Sequence, residues 1–194
     1  MKHIEIEVPD GVSGEWKVDT FVVRQNEIGQ YSSFFKTGRG VPLGTYKRLK
    51  RGGTTVMSNT PDEIRDFSSF VEQAEGSVLV NGLGLGVLLQ ALVNKPEVTK
   101  VKVIEISEDV LALVAGTYEK HAKVEIIKAD CFEYTPPKGE RFNAVWHDIW
   151  DSICADNLAE MNTLHRKYGR RADYQSSWCR LQCREQQKDW ARYC

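Results

Sequence analysis

Val78-Leu-Val-Asn81-Gly82-Leu83-Gly84-Leu85-Gly86 decides how this chain is read. A short apolar run leads straight into three glycines at alternate positions. Val87-Leu-Leu-Gln-Ala-Leu-Val93 then follows as a helix that stops near Asn94 and Pro96. Glycine makes the tight turn and lets bare backbone approach a ligand, while the helix start offers free N–H groups and a partial positive charge. Val101-Lys-Val-Ile104, Val124-Glu-Ile-Ile127 and Phe142-Asn-Ala-Val-Trp146 read as further strands, with a helix over 109–120 between the first two. Short apolar strands separated by helices of about ten residues imply a parallel sheet with crossovers. The fold class is therefore α/β, an open and mostly parallel Rossmann-like sheet. Ligands of such sheets sit beyond the carboxyl ends of the strands.

On either side of this core the pattern changes. Residues 1–58 form a β-rich N-terminal extension: Ile4, Ile6 and Val8 alternate with polar residues, and so do Trp16, Val18, Thr20 and Val22. Tyr46-Lys-Arg-Leu-Lys-Arg51 and Thr54-Thr-Val-Met57 flank Gly52-Gly53 as the two arms of a hairpin. The Rossmann-like core then runs over 59–151. It opens on a helix with Thr60 as N-cap, Pro61 at the first helical position and Glu63 completing a capping box. Residues 152–194 show no strand pattern and read as a helical basic tail packed on the core. Leu158, Met161, Leu164 and Tyr168 share one helical face that Gly169 ends, and Tyr174, Trp178 and Leu181 suggest a second helix.

The chain has 194 residues, enough for one sizeable core with an appendage, and 41% hydrophobic with 27% charged residues excludes a disordered chain. No apolar run approaches the roughly 18–20 residues of a membrane span, and Met1 to Asp10 lack a signal-peptide core. With five cysteines, an odd number, and no export signal, a reduced cytoplasmic protein is expected. The net charge is −1, but from His165 onward eight Lys and Arg face three Asp and Glu. Aromatic residues interleave with those charges at core-like spacing, which favours an intramolecular strap over a nucleic-acid surface. The run Lys47-Arg48-Leu49-Lys50-Arg51 reads likewise as a solvated hairpin arm. Cys179 and Cys183 lack a second well-spaced pair, so no metal site is expected.

Three strand ends carry carboxylates. Glu105 closes Val103-Ile-Glu105-Ile106-Ser, 23 positions after Gly82, near the offset at which a carboxylate accepts hydrogen bonds from ribose hydroxyls. The dinucleotide fingerprint wants its third glycine where Val87 stands, so the spacing fits a nucleoside ligand without a pyrophosphate. Asp130 ends the third strand, with Cys131 and Phe132 beside it. It suits an exocyclic adenine amine, or a helix cap, or both. The fourth strand ends in Trp146-His147-Asp148-Ile149-Trp150-Asp151. Asp148 is the first candidate for orienting or deprotonating a substrate. Asp151 and His147 support it, unless Asp151 caps a helix and His147 only backs the site.

The order of glycine loop, Glu105, Asp130 and Asp148 resembles the class I S-adenosylmethionine-dependent methyltransferase fold, here truncated. Within it, residues 78–151 are most similar to the spermidine synthase branch of polyamine aminopropyltransferases. Asn94-Lys-Pro-Glu-Val-Thr-Lys-Val-Lys-Val-Ile-Glu105, Val124-Glu-Ile-Ile-Lys-Ala-Asp130-Cys-Phe-Glu-Tyr134 and the paired Asp148 and Asp151 carry that similarity. The resemblance implies S-adenosylmethionine, or its decarboxylated form, held by Asn81, Gly82, Gly84, Gly86, Glu105, Ile106, Asp130, Cys131 and Asp148. Asp148, Asp151 and His147 would act on a small-molecule acceptor. Two departures stand out: Leu85 stands near the family's loop aspartate, and Asp66-Phe67 stands where that branch has a Tyr-His pair. Methyl transfer to a small nucleophile is the leading expectation. Aminopropyl transfer is the second, and a non-catalytic nucleoside- or nucleic-acid-binding assembly protein the third. A sheet cut short also leaves an edge, for which a homo-oligomer is one cover.

Overall fold

The computed structural model describes residues 4–24 and 41–193. Cys194, one of the five cysteines, lies outside them. The described residues form two sheets. The first is antiparallel, in the order β1 (Gly11–Ser13), β2 (Trp16–Val23), β3 (Gly44–Arg51), β4 (Thr54–Ser58). The hairpin turns at Gly52-Gly53, where Gly52 takes the left-handed φ of +56° that a tight turn needs. Three cations of its basic arm are paired: Lys47 with Asp10, Arg48 with Asp19 and Arg51 with Glu15. Residues 4–10 are not a strand. Ile4, Ile6 and Val8 are buried in alternation as the sequence implies, yet their backbone joins no sheet.

The second sheet has five parallel strands, β5 (Gly76–Asn81), β6 (Val98–Glu105), β7 (Val124–Lys128), β8 (Phe142–His147) and β9 (Ala172–Ser177). Their order is β7-β6-β5-β8-β9. Val78, Leu79 and Val80 on the central strand are buried on both faces, as a strand covered by helices must be. The chain winds outward from β5 to β7 and then returns to place β8 on the other flank. The carboxyl ends of β5 and β8 therefore border the point where the winding reverses, the place where open α/β sheets bind ligands. Among the described residues there are three longer helices: α1 (Pro61–Gln73), α5 (Asn157–Tyr168), which packs on β8 and β9, and α6 (Arg180–Tyr193), which packs on α5. A short α2 (Val87–Val93) follows the glycine loop. The helix expected over 109–120 is shorter and broken. It runs as α3 (Glu108–Val110), a π-helical stretch (Leu111–Ala115) and α4 (Gly116–Tyr118).

The tail corrects the sequence reading. It is not all helix: α5 forms on the expected face, but Tyr174 lies on β9 and Trp178 just after it, and only Leu181 is helical. Ala-Asp-Tyr-Gln-Ser-Ser carries no apolar alternation because β9 is an edge strand. Its place is held by ladder pairing with β8 from Phe142↔Ala172 to His147↔Ser177. The cations of the tail are largely spent inside the molecule. Lys167 donates to the carbonyls of Cys131 and Phe132, Arg171 to those of Pro137 and Glu140, and Arg180 to Asn162. Among the described residues no helix is long and apolar enough to cross a membrane.

Two loop glycines are fixed by neighbours rather than by space for a ligand. A Cβ on Gly82, at φ +98°, would sit 1.9 Å from the carbonyl oxygen of Asp148. One on Gly86, at φ +79°, would strike the buried ring of Tyr118 at 2.5 Å. We expect Gly82→Ala to lower unfolding free energy by at least about 2 kcal/mol, through backbone strain and the forced separation of the β5 and β8 loops. Urea denaturation of the two proteins reads this directly.

Candidate active site

A cavity of about 310 Å³ opens at the carboxyl ends of β5, β6, β7 and β8. Of the residues picked out in the sequence, Gly82, Gly84, Glu105, Ile106, Asp130, Cys131, Asp148 and Asp151 all line it. Asn81, Gly86 and His147 do not. Asn81 and His147 lie wholly buried behind the cavity floor, bonded to each other through Asn81 Nδ2 and His147 Nδ1 at 2.8 Å. Gly86 serves the packing of Tyr118, whose hydroxyl donates to the Gly86 carbonyl.

Glu105 is the hinge of this end of the sheet. Its Oε2 accepts from the Leu83 N–H in the glycine loop and its Oε1 from the Ser107 N–H, both at 2.8 Å. The carboxylate thus points at the loop rather than away from it. A carboxylate has about four lone-pair sites, so two remain for a ligand. Asp130 has a parallel role one strand further on. Its Oδ1 accepts from the Phe132 N–H at 2.8 Å and turns the chain so that Cys131 and Phe132 face the cavity. Burial first, and then the neighbouring Asp130, push the Cys131 thiol up to about 12, so it is no nucleophile at neutral pH.

The opposite end of the cavity is acidic and aromatic. Asp148 meets the cavity with one part of its surface and is enclosed by protein on the rest. Burial is the main cause that raises its pKa to about 7; the Trp146 indole N–H opposes the rise and Asp66 adds to it. Glu63, from the first turn of α1, lines the same space. Burial, then Asp148 and Asp66, lift it to about 8. Trp178 donates to Asp66 through its indole N–H at 3.2 Å. Arg51 lies over the Trp16 ring, 5.5 Å from its centroid, and is 3.7 Å from Asp151. Asp151 is therefore a rim carboxylate with a cationic partner, not a buried base.

His147 cannot exchange protons with a substrate from its position. Burial, then His165 and Arg180, lower its pKa to about 3, so the ring is neutral. With Nδ1 accepting from Asn81, its proton sits on Nε2 and faces Gln175 Oε1 at 3.4 Å. His165 is neutral for the same main reason, accepting from Arg180 at Nδ1 and donating from Nε2 to Ser177. The two rings form a polar backing under β8 and β9.

Glu63, Asp66, Met57, Trp16, Arg51 and Trp178 were not singled out as site residues by sequence. Glu63 read as half of a capping box. Thr60 is indeed the N-cap, but its side chain makes no capping bond, and the glutamate turns to the cavity. The adjacent Asp62-Glu63 at the helix entry was the available signal. The others come from the N-terminal sheet or from beyond β9, distant in the chain. Cys179 and Cys183 form no metal face: Cys179 has φ +48° and precedes α6, and no group of three metal-type ligands occurs among the described residues.

No protein-family model matches the chain, and no curated protein does. Solved structures do. The 23S rRNA methyltransferase ErmE is 22% identical over 53% of this chain and 40% of its own, with a TM-score of 0.42. The CcbJ methyltransferase from Streptomyces caelestis is 20% identical over 58% of this chain and 45% of its own, at 0.46. The N-terminal domain of EvdMO1, with SAH bound, is 25% identical over 57% and 45%, at 0.42. Two of the three are methyltransferases by name. The chain spans less than half the length of each.

The raised carboxylates make a test independent of any ligand. Between the ordinary glutamate value of 4.5 and about 8, the folded state keeps a proton on Glu63 that the unfolded chain has released. Stability from this group is thus full below pH 4.5 and is lost as pH rises towards 8. The two histidines, neutral when folded and with an ordinary value of 6.5 when unfolded, contribute alike to wild type and variant and cancel from the comparison. From pH 6.5 to 8 the wild type should lose about 1–2 kcal/mol relative to Glu63→Gln. Parallel denaturation curves for the two proteins would show no such divergence if Glu63 is solvated.

Proposed function

We propose that the chain is an S-adenosylmethionine-dependent transferase that moves a methyl group to a small amine. The observation that carries this reading is the convergence of three strand-end carboxylates, Glu105, Asp130 and Asp148, on one cavity whose far end also holds Glu63. The residues present fit a nucleoside. The cavity is within the usual size range of small-ligand sites, mostly apolar, with polar groups at its two ends. Glu105 has lone pairs left for ribose hydroxyls. Ile106, Cys131 and Phe132 offer apolar walls for a base, and Asp130 an acceptor for its amine.

When bound, such a cofactor supplies an electrophilic carbon attached to a sulfonium. The protein's part is to hold the acceptor and remove its proton. A pKa of about 7 keeps Asp148 basic enough to take a proton and acidic enough to release it near neutral pH. Glu63 above it, at about 8, stores a proton beside the same amine. Trp16, Trp150 and Trp178 line the space, and indole rings favour a cation by cation–π attraction. Alignment of donor and acceptor supplies much of the rate in a displacement of this kind.

A second reading, aminopropyl transfer from decarboxylated S-adenosylmethionine, is favoured by the presence of both Asp148 and Asp151 on the cavity wall. Arg51 beside Asp151 weakens it, because that pairing reduces the negative charge offered to a diamine.

Titration calorimetry with S-adenosylmethionine, its decarboxylated form and S-adenosylhomocysteine ranks the two. Glu105→Ala should weaken the tightest of these ligands at least about tenfold, or 1.4 kcal/mol, and Asp148→Asn should reduce turnover of an amine acceptor by roughly 10²–10⁴. Unchanged affinity in Glu105→Ala would remove the nucleoside assignment.

A further inference from the structure

A side chain from the N-terminal sheet occupies part of the proposed site. Met57, on β4, reaches over the glycine loop, and its Sδ accepts from the Leu85 N–H at 3.2 Å. A Cβ on Gly84 would lie 2.7 Å from that sulfur and 2.8 Å from the terminal methyl. The thioether therefore rests on the bare Cα of Gly84 at the cavity wall. Met57 also borders a second, much smaller void of about 20 Å³, walled by Phe67, Leu83 and Leu88. Glu63, Gly82, Asp148 and Trp178 border both spaces. Met57 is thus one of five residues on the wall between the two.

Three of the loop's other amides are firmly engaged. Gly82 donates to the Ile104 carbonyl at 2.8 Å, Leu83 to Glu105 at 2.8 Å and Gly86 to the Leu83 carbonyl at 3.0 Å. The Leu85 amide instead meets a weak acceptor on a flexible, unbranched side chain. Of the contacts that hold the loop, this one is the most readily exchanged.

We propose that Met57 sets the length of the 5′ substituent that a bound nucleoside can carry, by filling the space over Gly84 where such a tail would extend. The proposal rests on the nucleoside reading above. Removing the side chain beyond Cβ joins the two spaces and admits a longer tail, whereas the nucleoside end, held at Glu105 and Asp130, is untouched. Leucine keeps most of the volume and so keeps the block.

Calorimetry with adenosine and S-adenosylhomocysteine, on wild type, Met57→Ala and Met57→Leu, tests this. Met57→Ala should bind S-adenosylhomocysteine roughly tenfold more tightly while adenosine stays within about twofold, and Met57→Leu should match wild type. In protein labelled with ¹³C at the methionine methyls, the Met57 resonance should move with S-adenosylhomocysteine and stay put with adenosine. If adenosine binds but the ratio of the two affinities is the same in all three proteins, Met57 sets nothing. An equal shift in the leucine and alanine variants would likewise overturn the proposal. Should neither ligand bind wild type or Met57→Ala, both folded by circular dichroism, the nucleoside reading itself fails and this proposal with it.

Discussion

The carboxylate of Glu105 ties two pieces of backbone that would otherwise be independent. One oxygen holds the loop after β5 and the other the turn after β6. A buried glutamate needs such donors, since an ionised carboxylate out of water is costly unless hydrogen-bonded. The bonds stabilise the charge, and the charge fixes the loop. Everything at the cavity follows from that fixed point. The loop can then be approached by Met57 and by the Asp148 carbonyl, at Gly84 and Gly82 respectively.

A second constraint is the neutral polar layer behind the floor. Hydrogen bonds beneath β8 and β9 run from Asn81 through His147 and Gln175 to His165, which bonds both Ser177 and Arg180. Arg180 brings the only formal charge in that chain of contacts. The layer positions the strand end that carries Asp148 without placing an opposing charge against its carboxylate, which is why burial and Asp66 can raise its pKa. Asp148 and Glu63, with raised pKa values, lie at one end of the cavity, and Glu105 and Asp130, each accepting from backbone N–H groups beside the apolar Ile106, Cys131 and Phe132, lie at the other.

The glycine run, the strand-end acids and the helix entry at Pro61 were legible because each is a local signal. Backbone geometry at a turn, a cap or a strand end depends on residues a few positions apart. The strand β9 was not legible. An edge strand held by its ladder needs little apolar patterning, and Ala172–Ser177 has little. Nor was the role of Glu63: the same residue type at the same offset serves a capping box or a cavity wall, and only the packing of α1 against β4 and the β8 loop decides which.

From its sequence alone the chain determined an open α/β sheet with a ligand end at the glycine loop, and named Glu105, Asp130 and Asp148 as the acids there. Period and turn chemistry carry that much. Tertiary structure decided which neighbours those groups meet. His147 and Asn81 turned away from the cavity because side chains alternate between faces along a strand and theirs fell on the face packed against α5, where His147 meets His165 and Tyr168. Met57, Trp16 and Trp178 reached the cavity from elements far away in the chain, and contacts at such separations are set by packing of whole sheets and helices, which no local window of residues encodes.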